Sequence, residues 1–129
     1  MNEVGSKEAR ASIADALKKG YTLHTVDIAL AEGLNAIWKH ANLLKELKAE
    51  EAESAIDDLT RIYDGLTIVE TREVIKETTH VALTHNITIY DSLYIAAAQK
   101  YNGTLYTADQ KLCNTANKIT NSKLLKPKT

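Results

Sequence analysis

Apolar residues recur along this chain at two periods, and the switches between them mark out its elements. Ala9, Ile13, Ala16 and Leu17 follow helical spacing behind Ser6, a residue suited to an N-cap, and Gly20 supplies the stop. Tyr21 to Val26 is rich in β-branched and aromatic residues and predicts a strand. Ile28 to Leu47 returns to the helical period. The sharpest stripe comes next: Ala52, Ala55, Ile56, Leu59, Ile62 and Tyr63, ended by Gly65. Leu66 to Val69 predicts a short buried strand. Thr71 opens a helix carrying Val74, Ile75, Thr78, Val81 and Ala82, and Thr88 opens another that includes Ile95 to Ala98. Thr104 to Thr107 reads as a strand, Gln110 to Lys118 as a short helix, and Lys123 to Leu125 as a last strand before Pro127.

Short apolar strands separated by amphipathic helices predict an α/β fold with a parallel sheet covered on both faces. Each crossover must carry the chain back over the sheet before the next strand can begin. A length of 129 residues suits one domain spanning 1–129. With 16 Lys+Arg against 17 Asp+Glu the net charge is −1, which excludes a polycation of the chromatin type and a polybasic membrane binder. No apolar run reaches the ~18–20 residues a bilayer requires, and Met1 to Glu8 has neither the basic nor the apolar segment of a secretory signal. One cysteine, Cys113, excludes an intramolecular disulfide framework and is expected to be a buried thiol. These features predict a cytoplasmic protein with no membrane partner.

In open parallel sheets, ligands gather at the carboxyl ends of the strands, and three carboxylates fall near that edge. Glu32 lies one turn into the helix after the first strand, Asp109 follows the strand Thr104–Thr107 by two residues, and Asp91 opens the preceding helix. All-oxygen donors suit Mg²⁺ or Mn²⁺ rather than Zn²⁺. Each acid also has a purely structural reading. Thr88 to Asp91 fits a capping box, Asp109 fits an N-cap, and Glu32 fits a solvated helix face shared with Asn35. Spacing alone leaves these alternatives open.

Three segments carry a resemblance. Asp27-Ile-Ala-Leu-Ala-Glu32-Gly-Leu-Asn35, Ile89-Tyr90-Asp91-Ser92-Leu93-Tyr94-Ile95-Ala96-Ala97-Ala98 and Leu105-Tyr106-Thr107-Ala108-Asp109-Gln110-Lys111-Leu112 resemble, in order, the acidic motifs of PIN domains, particularly VapC-type toxins. The likeness runs from about Gly5 to Lys126. It implies a Rossmann-like three-layer α/β/α sandwich and a metal-dependent endoribonuclease that hydrolyses RNA with a metal-activated water. It further implies Mg²⁺ or Mn²⁺ held by Glu32, Asp91 and Asp109, support from Thr107 and Asn35, and an antitoxin protein as partner.

The family's pattern opens with a strand ending in an aspartate, ahead of the helix that begins here near Ser6. Met1 to Val4 cannot supply both, so the chain is expected to be N-terminally shortened relative to the family and to lack the usual first strand. The sheet would then miss its middle strand, between Tyr21–Val26 and Thr104–Thr107, and the site would keep three acids instead of four. Two consequences are expected: a homodimer or higher oligomer that covers the exposed edges, and an alternative function as a catalytically impaired PIN-like module that binds protein or RNA.

From Lys100 to Thr129 there are six lysines and a single acid, Asp109. Lys111 and Lys118 are the candidates for RNA phosphate contacts, against the plainer reading of solubility. The acidic segment Glu50–Asp64 reads as a solvated face. His24, His40, His80 and His85 are too scattered for a zinc site. Trp38 is a candidate for core or for a dimer contact, and Tyr90 and Tyr94 for packing or base stacking. Neither G-x-G-x-x-G nor G-x-x-x-x-G-K-[ST] occurs, which argues against a nucleotide cofactor.

Overall fold

The structure, a computed structural model, describes residue 11 and residues 14–125. Ser6, Ala9 and Ile13, Met1 to Val4, and Lys126 and Lys128 lie outside the described residues. A helical segment over 14–18 ends at Gly20, whose φ of +83° is the left-handed conformation that glycine adopts at no steric cost. There the Tyr21 N–H donates to the Ala16 carbonyl and the Gly20 N–H to that of Leu17, both at 3.1 Å, which satisfies the last carbonyls of the helix.

The elements that follow are β1 (His24–Val26), α1 (Ala29–Trp38), a π-helical turn (Lys39–Leu43), α2 (Ala49–Asp64) and β2 (Thr67–Val69). A 3₁₀ turn (Thr71–Val74) leads into α3 (Ile75–His85), then α4 (Ile89–Lys100), β3 (Thr104–Thr107), α5 (Gln110–Ala116) and β4 (Asn121–Leu124). All strand pairing among the described residues is parallel, as the pattern predicts. β1 pairs with β2, Val26 opposite Val69, and β3 pairs with β4, Thr107 opposite Leu124. Among the described residues these are two separate two-stranded sheets, with no strand joining β1 to β3. The fold is of the expected α/β type with parallel strands.

Several boundaries differ from expectation. The helix expected over Ile28–Leu47 stops being α-helical after Trp38. Lys45 turns left-handed at φ +53°, the Glu46 N–H donates to the His40 carbonyl at 2.8 Å, and the Glu46 carboxylate meets the His40 ring. No glycine or proline marks that stop, so pattern reading passes over it. Tyr21 to Leu23 are not strand, because β1 extends only as far as the three residues of β2 that pair with it. The last strand begins two residues early, at Asn121, in register with Thr104. In α2 the expected stripe is only half used: Ile56 and Ile62 are exposed, while Leu59 packs against α1 at Gly33. A Cβ at Gly33 would meet Leu59 Cδ2 at 2.7 Å, so glycine permits that approach.

Helix α4 holds the two strand pairs together. Its Leu93, Ala96 and Ala97 join Val26 of β1, Val69 of β2 and Val74 in one core. Its Ile95 joins Val81 of α3, Leu105 of β3, and Leu112 and Ala116 of α5 in a second. Tyr94 packs against both. Burial on nearly every side explains why α4 reads as small and apolar rather than amphipathic.

Asp27, just past β1, closes the edge of the first pair. Its carboxylate accepts from the Thr71 N–H at 2.8 Å and the Thr71 hydroxyl at 2.7 Å, and its own N–H donates to the Val69 carbonyl. Burial works to raise this carboxyl, but the two Thr71 bonds, together with the backbone N–H groups of Ile28 and Asp27, outweigh it and hold it below the usual carboxylate range. A folded-state value below the unfolded one contributes stability that is present above the ordinary carboxylate pKa and lost as pH falls through the folded value. Asp27→Ala is expected to cost about 2–3 kcal/mol at neutral pH, the scale of hydrogen bonds to a charged group, and progressively less toward about pH 3, below the ordinary carboxylate value. Urea unfolding at the two pH values checks this. An equal loss at both would contradict it.

Candidate active site at the carboxyl edge

The two parallel strand pairs are brought together by their packing on α4. The His24 ring stacks on Tyr101 with centroids 4.5 Å apart, which sets the beginning of β1 beside the end of α4. The opposite end of α4, with Asp91, therefore lies toward the end of β1 and the helix α1 that follows it.

Thr88 caps α4 by accepting from the Asp91 N–H at 3.1 Å, and the buried Ser92 hydroxyl donates to the Thr88 carbonyl at 2.8 Å. The capping box expected at this point is only half made. Among the described residues the Thr88 N–H does not donate to the Asp91 carboxylate, which interacts with the Thr88 side chain instead and lines a cavity. On the next segment the Thr107 hydroxyl accepts from the Asp109 N–H at 3.0 Å, fixing the turn after β3. Asp109 then caps α5, its Oδ1 accepting from the Leu112 N–H at 3.1 Å. A carboxylate has more acceptor positions than one cap uses, so the N-cap reading is correct and does not exhaust Asp109.

Asp91 and Asp109 line one cavity of about 170 Å³, together with Thr88, Lys111 and Leu112. Partial burial, then the charges of Asp109 and Glu32, push the Asp91 carboxyl above its usual range. The Thr88 side chain and the Lys111 ammonium pull it partly back. Two acids far from it in sequence, Asp109 and Glu32, thus act on the Asp91 carboxyl. Glu32 does not line the cavity. Its partner is Tyr94, whose hydroxyl donates to Glu32 Oε1 at 2.5 Å. Half-burial and then the Glu32 bond and charge push the Tyr94 hydroxyl well above the ordinary tyrosine range, so it stays protonated as a donor.

The other candidates divide. Lys111 stands in the first turn of α5 beside both aspartates, whereas Lys118 lies past the far end of that helix. Lys100 is on the opposite end of α4 and pairs with Glu73 at 3.2 Å, and Lys123 lies over the Tyr106 ring. The described lysines of the C-terminal run therefore form no single face at the acids. Asn35 is exposed one turn from Glu32 without bonding it. Tyr94 was missed in this role. Its place three residues after Asp91, in phase along one helix face, was the available signal. Tyr90 and Trp38 are exposed, 62% and 49%, so neither is core. Cys113 is buried, as expected, with its Sγ 3.3 Å from the Ser122 hydroxyl.

Whether these residues suit a divalent ion is answered by their chemistry. Three carboxylates with no thiolate or imidazole among them form a hard donor set, and the cost of placing their charges together is visible at Asp91. Among the described residues no three His, Cys, Asp or Glu side chains stand close enough to share one ion. The donors fit in kind and charge. A closed coordination shell is not formed.

The PIN domain family pattern matches residues 2–118. The chain belongs to the PIN domain family. It is also 37% identical over 99 residues to a protein named Ribonuclease VapC3 from Pyrobaculum aerophilum, an alignment covering 75% of this chain and 73% of the relative. That relationship makes this PIN domain one of VapC type. No helix among its described residues is long and apolar enough to cross a membrane.

The raised Asp91 carboxyl yields a stability prediction. A folded-state value above the unfolded one means that the charged form weakens the fold, so the stability linked to this group is present at low pH and lost as pH rises through the folded value. Asp91→Asn is expected to raise Tm modestly at neutral pH, with the gain fading below the ordinary carboxylate range. Thermal melts of both proteins across that range check it. A lower Tm for the variant at neutral pH would contradict it.

Proposed function

We propose that this PIN domain is a Mg²⁺- or Mn²⁺-dependent endoribonuclease and the toxin of a toxin–antitoxin pair, working in the cytoplasm. The observation that supports it most is the crowding of negative charge on Asp91 by Asp109 and Glu32 at a cavity on the carboxyl edge. Like charges are held together at a cost where a bound cation would relieve it. The relative named as a ribonuclease supports RNA as the substrate class.

In this reading Asp91 and Asp109 would hold the ion at the cavity they line, and Glu32, which stands outside it, would complete the site once an ion is bound; the ion would supply Lewis acidity and a water of lowered pKa for hydrolysis of the phosphodiester. The chain's own groups do the rest. Thr107 fixes the turn that presents Asp109, Tyr94 holds Glu32, and Asn35 stands one turn from it. Lys111 offsets the repulsion between the acids and an approaching phosphate, and Lys118 continues the RNA contact beyond α5. No side chain forms a covalent bond to the substrate.

Cleavage of a mixed-sequence RNA with Mg²⁺ or Mn²⁺ tests this. Asp91→Asn and Asp109→Asn are each expected to lower the rate by about a hundredfold or more, since a misplaced ion forfeits several kcal/mol of transition-state stabilisation. Full activity in either variant would refute the assignment. That no three acids among the described residues stand close enough to share one ion favours a second reading, a catalytically impaired module that binds RNA or a protein partner. RNA or partner binding with no cleavage under either metal would select it.

We further assign this chain a self-association surface on α1, where Leu34 and Trp38 share one exposed face, followed by the exposed Leu43 and Leu44. Sedimentation over a dilution series is expected to show a homodimer that Trp38→Ala weakens at least tenfold, a loss of about 1.4 kcal/mol. A cooperatively folded monomer at all concentrations would remove the dimer from this reading.

A further inference from the structure

The cavity that Asp91 and Asp109 line has a second, uncharged part with no role in holding an ion. There the lining is apolar at Ile87 and Leu112 and polar at Asn86 and Thr115. Neither of those two polar side chains has a hydrogen-bond partner among the described residues. Leu112 and Thr115 are three apart on α5 and share its face with Lys111. Asn86 is held in the left-handed conformation, φ +53°, where it ends α3 with its N–H on the Ala82 carbonyl. Its amide is therefore presented from a fixed backbone.

A volume of about 170 Å³ is well under the ~300 Å³ lower bound for drug-sized pockets. It has room for one ring-sized group and not for a whole nucleotide. Phosphate is disfavoured by the two aspartates beside it. A neutral planar group with apolar faces and a hydrogen-bonding edge meets the requirements, its faces against Ile87 and Leu112 and its edge against the amide and hydroxyl. Amide side chains read base edges through such paired donor and acceptor atoms. We propose that this cavity receives one base of the RNA next to the scissile bond, with Asn86 and Thr115 as specificity-determining residues. A base can enter only when splayed out of a helix, so the substrate is unpaired at that nucleotide.

The identity of the guest rests on the nuclease reading, but the test uses neither metal nor cleavage. The metal-free protein is titrated with the four uncharged ribonucleosides, adenosine, cytidine, guanosine and uridine, and the backbone amide signals of Ile87 and Thr115 are followed by NMR. One nucleoside is expected to move both signals saturably, with affinity about tenfold above the weakest, the discrimination that one or two hydrogen bonds provide. Thr115→Val, which keeps the shape of the side chain, and Asn86→Gly, which keeps the left-handed backbone, should each bring that ratio to about threefold or less. The subsite is overturned if no nucleoside moves the signals, if all four bind alike, or if the preference survives in both variants. Cleavage that depends on Asp91 together with a blank titration would remove the subsite alone. Base-selective binding by a protein that does not cut RNA would support the subsite and remove the nuclease reading.

Discussion

Everything at the carboxyl edge depends on α4 belonging to two cores at once. The strands form two parallel pairs that do not bond to each other among the described residues, so backbone hydrogen bonding cannot align β1 with β3. That alignment passes to side-chain packing: Leu93, Ala96 and Ala97 against one pair, Ile95 against the other, and Tyr94 between. Each fully buried large apolar side chain contributes about 1.5–3 kcal/mol, and α4 supplies two of the largest, Leu93 and Ile95. The small residues Ser92, Ala96 and Ala97 let the surrounding elements approach. A helix so enclosed has little freedom to rotate, and the direction of Asp91 is set with it.

Placing Asp91 on such a helix explains the electrostatics. A carboxylate on a mobile loop would turn away from Asp109 and Glu32. One carried on the first turn of a locked helix stays partly buried beside them, and its proton affinity rises. Two of the three acids have separate local anchors. Asp109 is held by the Thr107 hydroxyl and by its own cap, and Glu32 by the Tyr94 hydroxyl. Tyr94 thus takes part in both packing and site geometry, which ties the integrity of the cores to the position of an acid. Asp27 acts earlier in the chain, bonding the end of β1 to Thr71 so that α1 leaves the sheet at a defined point.

Much of this was legible before any coordinates. The periodicity of Ile28 to Leu47, which overran the helix end at Trp38, the stripe from Ala52 to Tyr63, and the β-branched run at Thr104 to Thr107 mark local structure because burial of one face requires them. Terminations carried by Lys45, Asn86 and Asn102 were not legible. Each adopts a left-handed φ without being glycine; asparagine takes that conformation with little penalty, whereas Lys45 carries no such local signal. Ile56 and Ile62 show the same limit. Their spacing is correct for a buried stripe, but among the described residues nothing covers them.

Composition and pattern alone determined that the strands would be parallel, that Glu32, Asp91 and Asp109 would fall near helix starts, and that a structural explanation competes with a chemical one for each. Periodicity is a local property, set within a turn or two of the chain. Tertiary structure decided the rest: that half of the capping box at Asp91 is left open, that Tyr94 rather than Asn35 holds Glu32, and that Lys111 stands at the acids while Lys118 does not. These are contacts between residues as much as 62 positions apart, and distance in space between such residues depends on how two cores close around a single helix.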